Sequence, residues 1–264
     1  MKKIVISGYY GFNNLGDEAV LAGITSLLKN KEQDIKITVL SAEPEETAAR
    51  YDIDSASRTS FFQIPAVLAE ADLFISGGGS LLQDVTGSFS VPYYLGLSWL
   101  AKLQGVKCIY YAQGAGLLEK KWSQKLTAFT LNRFDFLGVR DQDSKNLLQK
   151  IGVKKDIELT VDPVFALYNS LNTVRQKIKG KLEIGISVRP WSVDYIEELA
   201  AALNKFSQSK NCRFLIFPMH QGSDENISDE LESRLDAESK IVNLPADPKK
   251  ALEEFSQLDL FVGV

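Results

Sequence analysis

The first part of the chain to suggest chemistry is a long glycine-rich stretch with amide and acidic side chains. The sequence GYYGFNNLGDE covers residues 8–18, after an apolar run at 3–7 and before a periodic apolar run at 19–28. In a parallel α/β sheet, such a loop lies over the carboxyl end of the first strand, where ligands bind. A connection this long exceeds the needs of a tight turn. We therefore predict a ligand loop with Asp17 as a candidate catalytic residue and Asn14 and Glu18 as substrate contacts, although Asp17 and Glu18 equally suit a helix cap or a first helical turn.

Two further glycine loops follow predicted strands. Gly77, Gly78 and Gly79 come directly after the apolar residues 72–76, and consecutive glycines let a ligand or another main chain approach the backbone closely. A helix predicted to begin near residue 80 would direct free N–H groups at an anion. The other loop is Gln113-Gly114-Ala115-Gly116, which follows the apolar run at 107–112. Asp84 and Gln113 are further candidate contacts, and Asp84 also suits a helix cap.

Two arginines and the single histidine also follow strand-like runs. Arg140 comes after residues 135–139, Arg189 after 182–188 and His220 after 212–217. A guanidinium fork suits carboxylate and phosphate groups, but a surface ion pair is the commoner fate of an arginine. His220 titrates in the range that a general acid needs; it equally fits a sugar contact or an exposed loop. For Asp141 and Asp162 we favour turn and helix-start roles.

The elements that must position these residues alternate between strand and helix along the whole chain. This order predicts an α/β fold with doubly wound parallel sheets and ligand-type residues at one sheet edge. We predict an N-terminal domain at residues 1–168, a polar linker at 169–181 and a second domain at 182–264. No helix follows the last predicted strand, 258–264, so we expect the second lobe to be incomplete.

The composition excludes several classes of protein. The chain has 264 residues, 45% of them hydrophobic, a formal charge of -4 and a pI near 5.3, which disfavours a sequence-independent grip on nucleic acid. Cys108 and Cys212 lie in separate apolar runs and are predicted to be buried thiols in a reducing compartment. The first apolar run is too short for a signal peptide, and no run is long enough to span a bilayer. We therefore expect a cytoplasmic protein.

Seven ordered motifs together resemble the polysaccharide pyruvyl transferase family, in particular its bacterial cell-wall branch. They are GYYGFNNLGDEA, SGGGSLLQD, QGAG, VRDQDS, VDPVF, SVRPW and FPMHQGSDE, and they span nearly the whole chain. The resemblance implies two Rossmann-like lobes similar to GT-B glycosyltransferases, with the active site in the cleft between them. It also implies transfer of the pyruvyl group of phosphoenolpyruvate onto two sugar hydroxyls as a 4,6-ketal, without a metal or redox cofactor.

The same resemblance assigns roles to particular residues. Arg140 matches the arginine of the family's VRD motif and would hold the anionic donor, and Arg189 matches the SVR arginine of the other lobe. In the family, an Arg-Leu-His segment follows the strand at 258–264 and its histidine is a leading candidate for the acid. The sequence stops at that strand, so we expect a chain without this segment to be inactive. The implied acceptor is a lipid-linked amino sugar, usually N-acetylmannosamine, in the pathway that anchors S-layer proteins.

Two other functions compete with this interpretation. A nucleotide-sugar glycosyltransferase would share the architecture, and a non-catalytic phosphoenolpyruvate- or sugar-binding protein would fit the absent histidine. Contact with the inner membrane face is a further expectation, because aromatic residues lie near Lys120, Lys121 and Lys125; these aromatic residues are Tyr93, Tyr94, Trp99 and Trp122. We favour the alternative that these residues belong to one helix in the core and one amphipathic helix that faces solvent.

Overall fold

The computed structural model describes residues 1–84, 89–170 and 180–263, apart from the side chains of residues 169 and 170. Within it, the chain forms two compact units. The first unit contains Met1–Phe12 and Gly16–Asn169, and the second contains Asn13–Leu15 and Ser170–Val264. Most of the predicted linker, residues 171–179, lies outside the described residues, so the linker stays a prediction.

The first unit has a seven-stranded parallel sheet in the order β3-β2-β1-β4-β5-β6-β7. This sheet confirms the predicted α/β fold. Its strands are β1 Lys2–Ser7, β2 Ile35–Ser41, β3 Asp54–Ser57, β4 Leu73–Gly77, β5 Lys107–Gln113, β6 Phe136–Val139 and β7 Glu158–Leu159. Its helices are α1 Leu15–Lys31, α2 Pro44–Tyr51, α3 Gln63–Ala69, α4 Ser90–Leu103, α5 Lys121–Leu131 and α6 Gln142–Lys150, with a 3₁₀ helix at Pro163–Ser170.

Alternate residues of the central strands supply two different cores. Val5 and Phe74 belong to the larger cluster, whereas their neighbours Ile6 and Ile75 belong to the smaller one. Successive side chains of a strand point to opposite faces, so both faces of this sheet are covered. This burial explains why the strands read as continuous apolar runs.

Two sequence predictions near the glycine loops need correction. Helix α1 begins at Leu15, so Asp17 and Glu18 lie in its first turn and the first loop is shorter than residues 8–18. The helix predicted near residue 80 is wrong, because Leu82 forms an isolated parallel bridge with Ala115 and α4 begins only at Ser90. Backbone pairing to the neighbouring loop therefore takes the place of a helical N-terminus at this position.

The second unit has a four-stranded parallel sheet in the order β10-β9-β8-β11. Its strands are β8 Leu182–Ser187, β9 Cys212–Ile216, β10 Ser239–Ile241 and β11 Leu260–Gly263, and its helices are α7 Ile196–Ser209, α8 Glu225–Ser233 and α9 Pro248–Ser256. Ile184, Ile186, Phe214 and Ile216 form the centre of its core.

The structure also tests the predictions on the cysteines and on the aromatic residues of the suggested membrane patch. Cys108 and Cys212 are buried free thiols, as predicted. Tyr94 is buried in the core, whereas 45% of Trp122 is exposed, so the aromatic residues of the suggested membrane patch do not share one exposed surface. No helix in the described part of the chain is long and apolar enough to cross a membrane.

Candidate functional site

Asp17 carries the most perturbed carboxyl group at the carboxyl edge of the first sheet. It lies in the first turn of α1. The pKa of Asp17 is raised from 3.8 to about 7, and burial is the largest cause. The Glu18 and Asp162 carboxylates raise this pKa further, whereas the Arg140 guanidinium lowers it. A carboxyl group that titrates near neutrality accepts and releases protons at physiological pH, which is the property of a general acid or base.

The second glycine loop packs against this carboxyl group and against Tyr10. Gly78 and Gly79 have φ angles of 93° and 56°, which L side chains rarely adopt. A Cβ atom at Gly79 would lie 2.4 Å from Asp17 Oδ1, and one at Gly78 would lie 2.6 Å from the Tyr10 hydroxyl oxygen. The Tyr10 hydroxyl donates to the carbonyl oxygen of Gly77 at 2.8 Å. The glycines thus bring bare backbone next to Asp17.

Arg140 follows β6 and reaches the same loops. Its Nη1 lies 2.8 Å from Asp162 Oδ2, and one third of its side chain is exposed. The guanidinium lies against the Gly114 backbone, since a Cβ atom there would be 3.2 Å from both Nε and Nη2, and the Ser80 hydroxyl oxygen lies 2.7 Å from the same point. The Gly114 N–H donates to the Gly79 carbonyl oxygen. Asp17, Arg140 and two glycine loops therefore meet at one edge.

Gln113 and Asp84 hold these loops from within the protein. The buried Gln113 amide donates to the carbonyl and hydroxyl oxygens of Ser76, and its backbone carbonyl accepts from the Arg140 N–H. The buried Asp84 carboxylate accepts from the N–H groups of Glu119 and Lys120. Although burial raises its pKa, these hydrogen bonds outweigh burial and hold the pKa of Asp84 below its ordinary value. Both side chains are engaged by the protein itself.

Glu18 was predicted to contact substrate, and the structure gives it several protein partners. It is 2% exposed. Its carboxylate accepts from the Gly11 N–H at 2.8 Å, the Tyr51 hydroxyl at 2.6 Å and Arg50 Nη1 at 3.2 Å. These contacts tie the first loop to α2.

We expect Glu18→Gln to lower the free energy of unfolding by about 3 kcal/mol, because it leaves the half-buried Arg50 without its buried charge partner. Glu46→Gln is the matched control, since Glu46 is the exposed partner of the same arginine and exposed ion pairs contribute less than about 1 kcal/mol. Urea unfolding of both variants measures the difference. Equal, small effects would contradict a structural role for Glu18.

The site residues predicted in the second unit lie at the ends of its strands. Arg189 follows β8, and its guanidinium carbon lies 5.5 Å from the centroid of the Trp191 ring. His220 follows β9, and its backbone N–H donates to Asp224 Oδ2 at 2.9 Å. Asn14, which belongs to this unit, forms an isolated antiparallel bridge with His220. Their roles with substrate stay predictions.

Two residues contribute to this edge in ways that the sequence does not predict. The sequence predicts Ser80 as the start of a helix and favours a turn or helix-start role for Asp162. Asp162 does accept from the Val164 N–H through Oδ1, but its other oxygen binds Arg140. Asp141 caps α6 by accepting from the Ser144 N–H, as predicted. No group of three or more His, Cys, Asp or Glu side chains that could hold a metal ion occurs among the residues described.

Comparison with known proteins gives a family match and a set of related folds. The family model described as polysaccharide pyruvyl transferase matches residues 14–264. No curated protein sequence matches the chain significantly. Among solved structures, the UDP-GlcNAc 2-epimerase from Methanocaldococcus jannaschii has a TM-score of 0.60 and 15% identity, over 100% of this chain and 78% of that one.

Two other solved structures have comparable similarity. The S. aureus MnaA–UDP structure has a TM-score of 0.63 and 10% identity, over 100% of this chain and 74% of that one. A glycosyltransferase from Rickettsia africae has a TM-score of 0.58 and 14% identity, over 96% of this chain and 70% of that one. At these identities the likeness concerns the fold alone, which is that of GT-B-type glycosyltransferases and epimerases.

Proposed function

Because the chain belongs to the polysaccharide pyruvyl transferase family, we propose that it transfers the pyruvyl group of phosphoenolpyruvate onto two hydroxyls of a sugar as a 4,6-ketal. The observation that carries this proposal is that Arg140 and Asp17 lie at the same glycine-rich edge of the first unit, beside Gly114 and Gly79 respectively. Arg140 offers a partly exposed guanidinium for a carboxylate or phosphate. Asp17 offers a carboxyl group that titrates at about pH 7.

The reaction requires proton movements that Asp17 is suited to assist. A proton adds to the methylene carbon of phosphoenolpyruvate, and C2 becomes electron-poor. One sugar hydroxyl attacks C2 and loses its proton, and the C2–O bond to phosphate then breaks. The second hydroxyl attacks C2 and loses its proton to close the ketal, so that of the two hydroxyl protons one balances the proton gained by the methylene carbon and the other leaves with the phosphate. We assign Asp17 the role of the base that removes a hydroxyl proton, because its raised pKa makes the carboxylate a stronger base than an ordinary aspartate.

Arg140 would hold the donor while this occurs. Its contact with Asp162 uses Nη1, its Nε lies 3.9 Å from Asp141 Oδ2, and Nε and Nη2 lie against the buried backbone of Gly114. An anion at this edge would therefore meet both a guanidinium and glycine backbone. Arg189 as a second donor contact and His220 as the acid are proposals that rest on their positions after β8 and β9.

The acceptor and the setting are also part of the proposal. We propose an amino sugar, N-acetylmannosamine, carried on a lipid at the cytoplasmic face of the membrane, as the family resemblance implies. The proposed reaction needs no redox cofactor, because phosphate departure and ketal closure involve no change in the overall oxidation state of the reactants, and the family resemblance implies that no metal takes part.

Phosphate release tests the proposed function. The protein is incubated with phosphoenolpyruvate and an acceptor that contains N-acetylmannosamine, and inorganic phosphate and the ketal product are measured. We expect one phosphate released for each ketal formed, and no release without acceptor or with a 4,6-blocked acceptor. Absence of release with the open acceptor, despite measured binding of both substrates, would reject the transferase proposal and favour a binding protein.

A nucleotide-sugar enzyme is the second candidate function. It is favoured by the related folds, which include a structure with UDP and UDP-GlcNAc 2-epimerases. Turnover of a UDP-sugar in the absence of phosphoenolpyruvate would select this candidate. Turnover that requires phosphoenolpyruvate would reject it.

A further inference from the structure

Arg58 stands out in the first unit because aromatic rings surround it. It follows β3, so it lies at the same carboxyl edge of the sheet as Asp17 and Arg140. Its guanidinium carbon lies 4.8 Å from the centroid of the Phe12 ring, 4.7 Å from that of Tyr93 and 5.6 Å from that of Tyr94. Rings at these distances attract the cation through their negative faces, but they supply no negative charge to balance it.

The backbone and side chain of Arg58 are held in place, while its donors are left largely unused. The Arg58 N–H donates to the Ser41 carbonyl oxygen at 2.9 Å, and the Arg58 carbonyl oxygen accepts from the Tyr93 hydroxyl at 2.7 Å. Nη2 makes a long, 3.4 Å hydrogen bond to the Tyr94 hydroxyl. Nη1 is buried and has no hydrogen-bond partner in the structure as described. A buried donor left unpaired on a charged group is costly.

Two other arginines of this unit form ion pairs with carboxylates, and Arg58 forms none among the residues that the structure describes. Arg50 pairs with Glu18 and Glu46, and Arg140 pairs with Asp162. Over the described residues, no carboxylate lies within ion-pair distance of Arg58. A preorganised cation that the protein neither neutralises nor fully hydrogen-bonds is suited to a ligand that brings its own negative charge.

Arg58 and Asp17 both influence the electrostatics of Tyr9 and Tyr94. Both groups act on the same tyrosines: burial is the main cause of the raised pKa values of Tyr9 and Tyr94, the Asp17 carboxylate raises them further and Arg58 lowers them. The Tyr9 ring stacks on Phe12 with centroids 4.1 Å apart. The Tyr9 ring therefore extends the group of rings that begins with Phe12 beside Arg58, and flat rings of this kind pack well against the apolar face of a sugar.

We infer that Arg58 and the rings of Phe12 and Tyr93 that pack against it form an anion subsite for the phosphate or diphosphate attached to the acceptor sugar. This inference rests on the proposed function. The hydroxyls that form a 4,6-ketal and the anomeric carbon lie at opposite ends of a pyranose ring. A sugar with those hydroxyls at Asp17 and its ring over Tyr9 would place its anomeric phosphate toward Arg58, away from the donor at Arg140.

Binding measurements with Arg58→Gln test the subsite. The probes are UDP-N-acetylmannosamine, a short-chain polyprenyl diphosphate N-acetylmannosamine and the neutral methyl glycoside. We expect the dissociation constant to rise at least tenfold for one or both diphosphates, and less than twofold for the methyl glycoside and for phosphoenolpyruvate. If only one diphosphate binds more weakly to the variant, that probe identifies whether the natural carrier is a nucleotide or a lipid. Unchanged affinity for both diphosphates would overturn the inference.

Two controls separate recognition from structure. Arg133→Gln removes another arginine that stacks on aromatic rings, since its guanidinium carbon lies 3.7 Å from the Phe129 ring centroid; we expect no change in any affinity. Arg58→Lys keeps the charge without the planar fork and should retain part of the diphosphate affinity. Equal losses for all probes, including phosphoenolpyruvate, would overturn the subsite in favour of a structural role.

The inference and the proposed function fail in different ways. If the wild-type protein turns over phosphoenolpyruvate but Arg58→Gln leaves diphosphate affinity unchanged, only the subsite is rejected. If no ketal forms while Arg58→Gln still weakens diphosphate binding selectively, the proposed transferase is rejected and the anion subsite stands.

Discussion

Replacing Arg140 with glutamine is expected to lower kcat/KM for phosphoenolpyruvate by about a thousandfold, the scale of losing a charge-assisted contact to a reacting anion. The side chain is partly exposed and its main protein partner is Asp162, so the fold should survive. Arg140→Lys should recover part of the loss, because it restores the charge but not the fork. Steady-state phosphate release and calorimetric binding of phosphoenolpyruvate measure the two effects.

The same substitution should also alter the pH dependence. Arg140 lowers the pKa of Asp17, so its removal should move the titration of Asp17 to higher pH. The rising limb of the pH profile of residual activity should move with it. Arg133→Gln, which removes an arginine elsewhere in the unit, should leave activity and the profile unchanged. A loss below tenfold for Arg140→Gln would remove Arg140 from donor binding.

Replacing Asp17 with asparagine is expected to reduce kcat by about 10²–10⁴-fold, the usual contribution of a positioned base. In the wild-type protein, kcat/KM should rise with pH up to about 7 and then level, because only the carboxylate form accepts the proton. In Asp17→Asn this limb should disappear. A wild-type profile that falls through pH 7 would instead identify Asp17 as the acid.

The stability of Asp17→Asn supplies a test that does not depend on activity. The folded-state pKa of about 7 is above the ordinary value of 3.8, so folding disfavours the carboxylate, and wild-type stability falls as pH rises between these values. At pH 8 the variant should be more stable than wild type by about 2–4 kcal/mol, and the difference should shrink toward pH 4. Thermal or urea unfolding across pH 5–8 measures it; a variant less stable at pH 8 would contradict the raised pKa.

Most of the first sheet could be predicted from local pattern. A strand buried on both faces must be apolar throughout, so runs such as residues 3–7 and 72–76 are visible in the sequence. The helix near residue 80 was predicted wrongly because glycines followed by a serine resemble a helix start. The alternative, a backbone bridge between Leu82 and Ala115, joins segments far apart in the chain and leaves no local pattern.

The sequence by itself determined the alternation of strands and helices, the carboxyl-edge position of Asp17 and Arg140, and the family. Those properties follow from residue types over short windows and from the order of motifs. Only the tertiary structure decided which polar groups are engaged by the protein and which are left with a perturbed pKa beside the glycine loops. Glu18 and Asp17 are adjacent in sequence, yet Arg50 and Tyr51 neutralise and hydrogen-bond the first, whereas burial and neighbouring carboxylates leave the second titrating near pH 7. Likewise, Arg58 becomes a candidate anion site only when rings from two distant segments close around it, because desolvation and charge pairing depend on three-dimensional neighbours.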